Sequence, residues 1–270
     1  MDTATCTENG HTYTAVEFAA LAPETLDRLR RLLRCSECDG PAFFRKRSRS
    51  GRGACFGARP HVDGCDQATV DSDLLIPGAA DDQDEIYNPG DRIVIDLGYG
   101  AQDPQVHLDQ DARQPKRVRG GRFVGDGNRG NAEMHRRLST MLRTLVTAPN
   151  FRFSDQIIAV GENPELPARD FFVNFSDVTS QYSRQFRGYW GLLSDAGRGA
   201  DNSLWLNSGG RSSMSVCLPE EHVDTVMQRY RLTEDEDFSG AYILVLASLS
   251  VSQYGKIFCV VNDPAVMSLR

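Results

Sequence analysis

Apolar residues recur along this chain with two periods, and the change from one to the other divides it. After Pro23, a residue suited to the first turn of a helix, Leu26, Leu29, Leu32 and Leu33 follow helical spacing, with Arg28, Arg30, Arg31 and Arg34 outside the stripe. Residues 131–147 carry the strongest helical pattern: Met134, Leu138, Met141, Leu142 and Leu145 share one face, and Pro149 ends the run. Short β-branched runs predict strands at 91–98, 156–160 and 170–175. From residue 187 the pattern becomes regular, with strands at 188–194, 203–207 and 213–218, a turn at Gly197 and Gly199, and Gly209 and Gly210 closing a hairpin. Pro219, Glu220 and Glu221 open a short helix with Val223, Val226, Met227 and Tyr230 on one side. A long strand at 241–251 and another at 256–261 follow, turned at Tyr254 and Gly255.

The order β-β-β-α-β-β over residues 187–270 resembles the OB-fold, with a small SH3-like barrel as the alternative. The resemblance implies a ligand face on the second and third strands, where bases of a single strand stack on aromatic rings beside cations. Trp205 alternates with Leu204 and Leu206, so one face of the second strand presents an aromatic. Tyr189, Trp190, Tyr254 and Phe258 are weaker candidates, and Arg187, Arg198, Arg211 and Lys256 are placed to track phosphates.

Residues 34–66 contain the densest chemistry. Cys35 and Cys38 form a C-x2-C pair, and His61 and Cys65 an H-x3-C pair, separated by an insert of hairpin length. Two close pairs of this kind suit a four-coordinate metal, and thiolate with imidazole favours zinc over a hard cation. Cys55 competes with His61 as the fourth ligand. The insert is apolar at Phe43 and Phe44 and then cationic at Arg45, Lys46, Arg47, Arg49 and Arg52. A helix, the C-x2-C pair, a basic hairpin and then Phe56, His61 and Cys65 resemble the N-terminal cysteine module of CoiA-like competence proteins. In that family the module precedes a nuclease-like domain, but no D…E-x-K triplet follows it here.

Charge sharpens the picture. The 270 residues sum to −7, yet residues 30–66 hold nine Lys/Arg against four Asp/Glu, and residues 113–143 nine against two. Arg117, Arg119 and Arg122 lie in the second basic segment. Residues 66–91 hold eight acids and no base. Two concentrated basic segments on an acidic chain point to a polyanion as partner. Seven cysteines is an odd number, and Cys217 and Cys259 sit in apolar runs, which argues for free thiols in a reducing, cytoplasmic setting. No run of about 18 apolar residues is present, so no membrane span is expected.

The expected fold class is α+β: an N-terminal helix with a zinc-stapled module (1–66), an acidic linker (67–90), a small α/β middle region (91–186) and a C-terminal five-stranded OB-like β-barrel (187–270). The expected function is non-enzymatic binding of nucleic acid, single-stranded and in the first instance DNA, with structural Zn2+. The alternatives are a metal-dependent nuclease drawing on Asp96 with Asp155 or Glu162, and a module that binds a protein partner. A glycine pattern at Gly125, Gly127 and Gly130 fits the dinucleotide fingerprint, but the residues before it are too polar for a central parallel strand. His107, His135 and His222 are scattered, and no G-x-S-x-G occurs, so hydrolase chemistry has no constellation to use.

Overall fold

The computed structural model describes residues 1, 3–48, 53–62, 65, 67, 92–97, 133–210 and 212–270. The expected linker and the 102–130 loop lie outside the described residues but for Gln67. Strands β1 (Thr3–Cys6) and β2 (Thr12–Thr14), helices α1 (Ala15–Ala19) and α2 (Pro23–Leu29), and strands β3 (Leu33–Cys35), β4 (Pro41–Arg45) and β5 (Cys55–Ala58) form the first unit. Its sheet runs β2-β1-β3-β4-β5, antiparallel throughout. Phe18, Leu26, Leu29, Phe44 and Phe56 fill its core. Thr14 caps α1 with a reciprocal capping box to Glu17. The opening strands went unread because Thr-rich runs this short carry little periodicity.

The second unit contains β6 (Arg92–Ile95), β7 (Glu133–Arg136), α3 (Leu138–Thr147), β8 (Ile157–Ala159), β9 (Leu166–Pro167) and α4 (Ala168–Phe171). The sheet order is β7-β6-β8-β9, with β6 parallel to both neighbours. The helix expected from residue 131 begins only at Leu138. Residues 133–136 pair with β6 instead, from Arg92↔Glu133 to Ile95↔Arg136, and this satisfies a strand edge that a helix would leave open. The strand expected at 170–175 is α4 followed by β10 (Phe172–Asn174). Phe171 and Phe172 are both buried in one core, which a helix-to-strand junction permits and an alternating strand does not.

The remaining elements are β11 (Phe186–Leu192), β12 (Asp195–Arg198), β13 (Leu204–Asn207), β14 (Ser215–Leu218), α5 (Glu220–Tyr230), β15 (Tyr242–Ser248), β16 (Ser250–Val251), β17 (Ile257–Val260) and β18 (Met267–Leu269). They do not form a single closed five-stranded ladder. One sheet has the order β10-β11-β15-β18 and the other β12-β13-β14-β17-β16. The chain passes between the sheets four times, at residues 193–194, through the connection that holds α5, at Leu249 and between β17 and β18. The run expected as one strand at 241–251 is therefore two, divided at the buried Leu249. Leu204, Leu206, Val216, Ile243, Val245 and Cys259 pack between the two sheets, with α5 closing the core through Val223 and Val226. A neighbouring core joins α3 to the far face of β11 and β15 through Trp190, Leu244 and Leu246. All seven cysteines are free. Among the described residues no helix is long and apolar enough to cross a membrane.

Candidate metal centre and candidate nucleic-acid face

Cys35 ends β3, and the chain turns at once. Asp39 adopts a left-handed conformation (φ 57°), its N–H donates to Cys35 O at 3.1 Å, and Cys35 N–H donates to Gly40 O at 2.8 Å. Gly40 is where this knuckle meets the segment beyond β5, since a Cβ there would lie 2.6 Å from Pro60 O. The close approach brings Cys35 and Cys38 to His61 and Cys65, and the four donor atoms lie within 4.8 Å of one another. Cys35 Sγ is 3.9 Å from Cys65 Sγ, and Cys38 Sγ is 3.5 Å from His61 Nδ1. Tetrahedral bonds of about 2.3 Å to sulfur set ligand sulfurs about 3.8 Å apart, so the spacing fits a four-coordinate metal ion. Cys55, on β5, is not in the group.

Backbone amides of Val62 and Gly40, with His61, draw the Cys38 thiol down to about 6, whereas burial pushes Cys65 up to about 12. Glu37 Oε2 accepts from Cys65 Sγ (3.4 Å) and Gln67 N–H (3.1 Å). Among the described residues this is the one group of three or more His, Cys, Asp or Glu side chains able to hold a metal. Asp96, Asp155 and Glu162 form no such group; Asp155 instead pairs with Arg169.

The cationic hairpin meets the C-terminal half. Arg45 Nε donates to Ser239 O at 2.9 Å, and its guanidinium lies over the Phe43 ring. Lys46 N–H donates to Glu236 Oε1 at 3.0 Å, while Lys46 Nζ lies 3.3 Å from Asp27. Arg47 is exposed. Arg49, Arg52, Arg117, Arg119, Arg122 and Arg211 lie outside the described residues. Two arginines just after α2, outside its apolar stripe, also make the contact. Arg30, 3% exposed, pairs with Glu236 and donates to Phe44 O at 2.8 Å. Arg31 forms a two-pronged bond to Asp195, Nε to Oδ2 at 2.7 Å and Nη2 to Oδ1 at 3.1 Å. Each arginine has an acid far along the chain as its partner, and helical periodicity is blind to such pairs.

The outward face of the five-stranded sheet follows from alternation. Leu204 and Leu206 turn into the core, and Trp205 between them turns out, half-buried. Its ring centroid is 5.5 Å from that of Phe258 on β17. Trp205 Nε1 donates to Ser203 Oγ at 3.0 Å, and Ser203 Oγ donates to Asp201 at 2.6 Å. At the other end of the face, Lys256 Nζ donates to Ser213 O at 2.8 Å. Partial burial lowers the Lys256 pKa, helped by the nearby Arg31. Beside this end a cleft of about 250 Å³ opens toward the first unit, lined by Thr7, Arg31, Arg34, Ser194 and Ser208. Arg198 is held at the opposite end by Asp235, at 2.7 and 2.8 Å. Tyr189 and Trp190 are buried, Arg187 bonds Gln185 and Phe186 O, and Tyr254 stands 89% exposed on the β16–β17 turn.

No known protein family and no curated protein matches the chain. The CoiA-like likeness therefore rests on its five residues alone. A solved structure to which the chain is similar is that of Schizosaccharomyces pombe Pot1pC bound to ssDNA (CGGTTACGGT). The likeness has 14% identity and a TM-score of 0.26, and covers 37% of this chain and 84% of that one. At that TM-score it fixes neither fold nor function.

Proposed function

We propose that the protein binds nucleic acid, preferring single strands, on the outward face of β13, β14 and β17, with a structural zinc ion in the Cys35–Cys38–His61–Cys65 group. The observation that carries this reading is the Trp205–Phe258 pair, two rings turned away from the core on a sheet that has apolar residues to spare inside. A base stacks on such a ring whatever its identity, at about 1–3 kcal/mol per base. The connections support an OB-type arrangement. β12, β13 and β14 form a meander, α5 follows, β15 pairs back on β11, and β17 runs parallel beside β14. In such an arrangement the ligand crosses the second and third strands, here β13 and β14, between the β12–β13 and β16–β17 loops. Lys256 and the Arg31–Arg34 cleft stand at one end of that path.

Three thiolates and an imidazole are zinc's preferred donors, and four protein ligands leave no position for a reactive water. Zinc there is a staple: it fixes the knuckle to the 60–65 segment and so stiffens the unit whose arginines border the cleft. The test is a fluorescence anisotropy titration with single-stranded DNA, RNA and duplex across a salt series. Affinity should fall steeply with salt, as counterion release requires. Absence of binding to every strand at low salt removes the proposal.

A further inference from the structure

The cleft beside the sheet face lies between β3 and β4 of the first unit and the residues that join β11 to β12. Its volume of about 250 Å³ falls just under the range of about 300–1,000 Å³ for pockets that hold a drug-sized ligand, which suits a single nucleotide. Two arginines line it and no carboxylate does. Arg31 gives Nε and Nη2 to Asp195, so its charge is already matched. Arg34 differs. It sits in the middle of β3, paired with Thr5 on one side and Pro41 on the other, and its Nη1 donates to Asp39 O at 3.0 Å. Among the described residues nothing bonds its Nε and Nη2, the edge that forks onto an anion. The Asp39 carboxylate is 3.9 Å from Nη1 and 84% exposed, a weak pair. The hydroxyls of Thr7, Ser194 and Ser208 donate inward, to Leu32 O, Asn207 O and Met214 O, so the arginines supply the side-chain donors left for a ligand. Asp39 follows Cys38 in the metal knuckle, and the turn that gathers the ligands therefore also aims Arg34.

We propose that this cleft seats one nucleotide of the strand that lies on the Trp205 face, with its phosphodiester on the open edge of Arg34 and its base against the wall formed by Leu32, Pro41 and Leu192. The inference rests on the strand-binding reading above and names a grip within it. Two parallel N–H groups of a guanidinium match two phosphate oxygens. Lys256, near enough to Arg31 to feel its charge, continues the cationic path from the cleft toward Phe258. A head already held by the knuckle carbonyl loses less freedom on binding, which favours affinity.

The test is the salt dependence of binding of a single-stranded DNA oligonucleotide to the full chain, followed by fluorescence anisotropy. Each phosphate contact on a single strand contributes about 0.7 to the slope of log affinity against log salt. Arg34→Gln should therefore make the slope shallower by about 0.7 and weaken binding at low salt about tenfold. Trp205→Ala should weaken binding at an unchanged slope, because a stacked base releases no counterion. Asp39→Asn probes the same edge without altering it: asparagine tolerates the left-handed turn, and loss of the competing carboxylate should raise affinity by up to about fivefold. In the Arg34→Gln background that gain should vanish. An unchanged slope in Arg34→Gln, an equal loss of slope in Trp205→Ala, or an Asp39→Asn gain that is absent or survives without Arg34 overturns this inference while strand binding itself stands. No binding to the unaltered chain overturns both.

Discussion

The Phe43 ring lies flat against the backbone of Gly240: a Cβ placed on Gly240 would sit 2.1 Å from Cζ of that ring. Gly57 presses on the same ring from the N-terminal sheet, where its Cβ would come within 2.3 Å. Phe43 is thus gripped by one glycine of its own unit and one of the C-terminal half. Around it Arg30, Arg45 and Arg59 reach across to Glu236, Ser239 and Gly240. This dry, ring-on-backbone contact sets the position of the metal knuckle relative to the sheets.

Gly240→Ala should therefore be costly. Gly240 has φ +79°, so alanine is strained there even before the ring must move. Together the strain and the clash should destabilise the fold by about 2–4 kcal/mol, read as a lower urea midpoint. Gly197, with open space around its Cβ position, is the control and should lose far less.

Asp195→Ala should cost about 3–5 kcal/mol, the penalty for stranding a partly buried charge partner. Asp195, itself 3% exposed, accepts from Arg31, Ser194 Oγ and Asn207 Nδ2. A double-mutant cycle of Arg31→Met with Asp195→Ala in urea denaturation should return a coupling well above the 0–1 kcal/mol of an exposed pair.

Metal removal should unfold the N-terminal unit and spare the rest. Mass spectrometry under native conditions should find one zinc per chain, lost in Cys38→Ser. Chelation should expose Cys35, Cys38 and Cys65 to a thiol reagent while Cys259, wholly buried between the sheets, stays protected. Zinc-bound thiolates must be deprotonated, so metal should also leave as pH falls.

Lys256 gives a pH dependence of known sign. Its pKa is lowered from 10.5, first by burial and then by Arg31. The unfolded chain thus holds the proton at a pH where the folded chain has begun to release it. Stability from this group rises with pH through that window and levels off above the ordinary lysine range. Strand binding moves the other way, weakening as Lys256 loses its charge below pH 10.5. Lys256→Arg should keep its affinity through the same titration.

How much of this was legible beforehand differs by element. The grouping of Cys35, Cys38, His61 and Cys65 was readable because close pairs on two turns constrain geometry locally. The alternation of Leu204, Trp205 and Leu206 likewise placed the tryptophan outside without any knowledge of its neighbours. Residues 133–136 were read as helix because Met134 and Leu138 match a helical face, and the decision between helix and strand lay with β6, some forty residues earlier. The contacts of Arg30 and Arg31 were hidden for a similar reason: periodicity places both outside the apolar stripe, and their partners Glu236 and Asp195 lie more than 160 residues away. β18 is three residues long, with its pattern visible only once β15 lies beside it. Periodicity reports what a segment does alone, and these segments are decided by partners.

The measurement that tests the central claim most directly is single-stranded oligonucleotide binding to the zinc-loaded chain at low salt, beside Trp205→Ala, by fluorescence anisotropy. The account predicts salt-sensitive binding that Trp205→Ala weakens about 5- to 150-fold, the 1–3 kcal/mol of one stacked base. Binding of full strength in Trp205→Ala, or none in the unaltered chain, would contradict it.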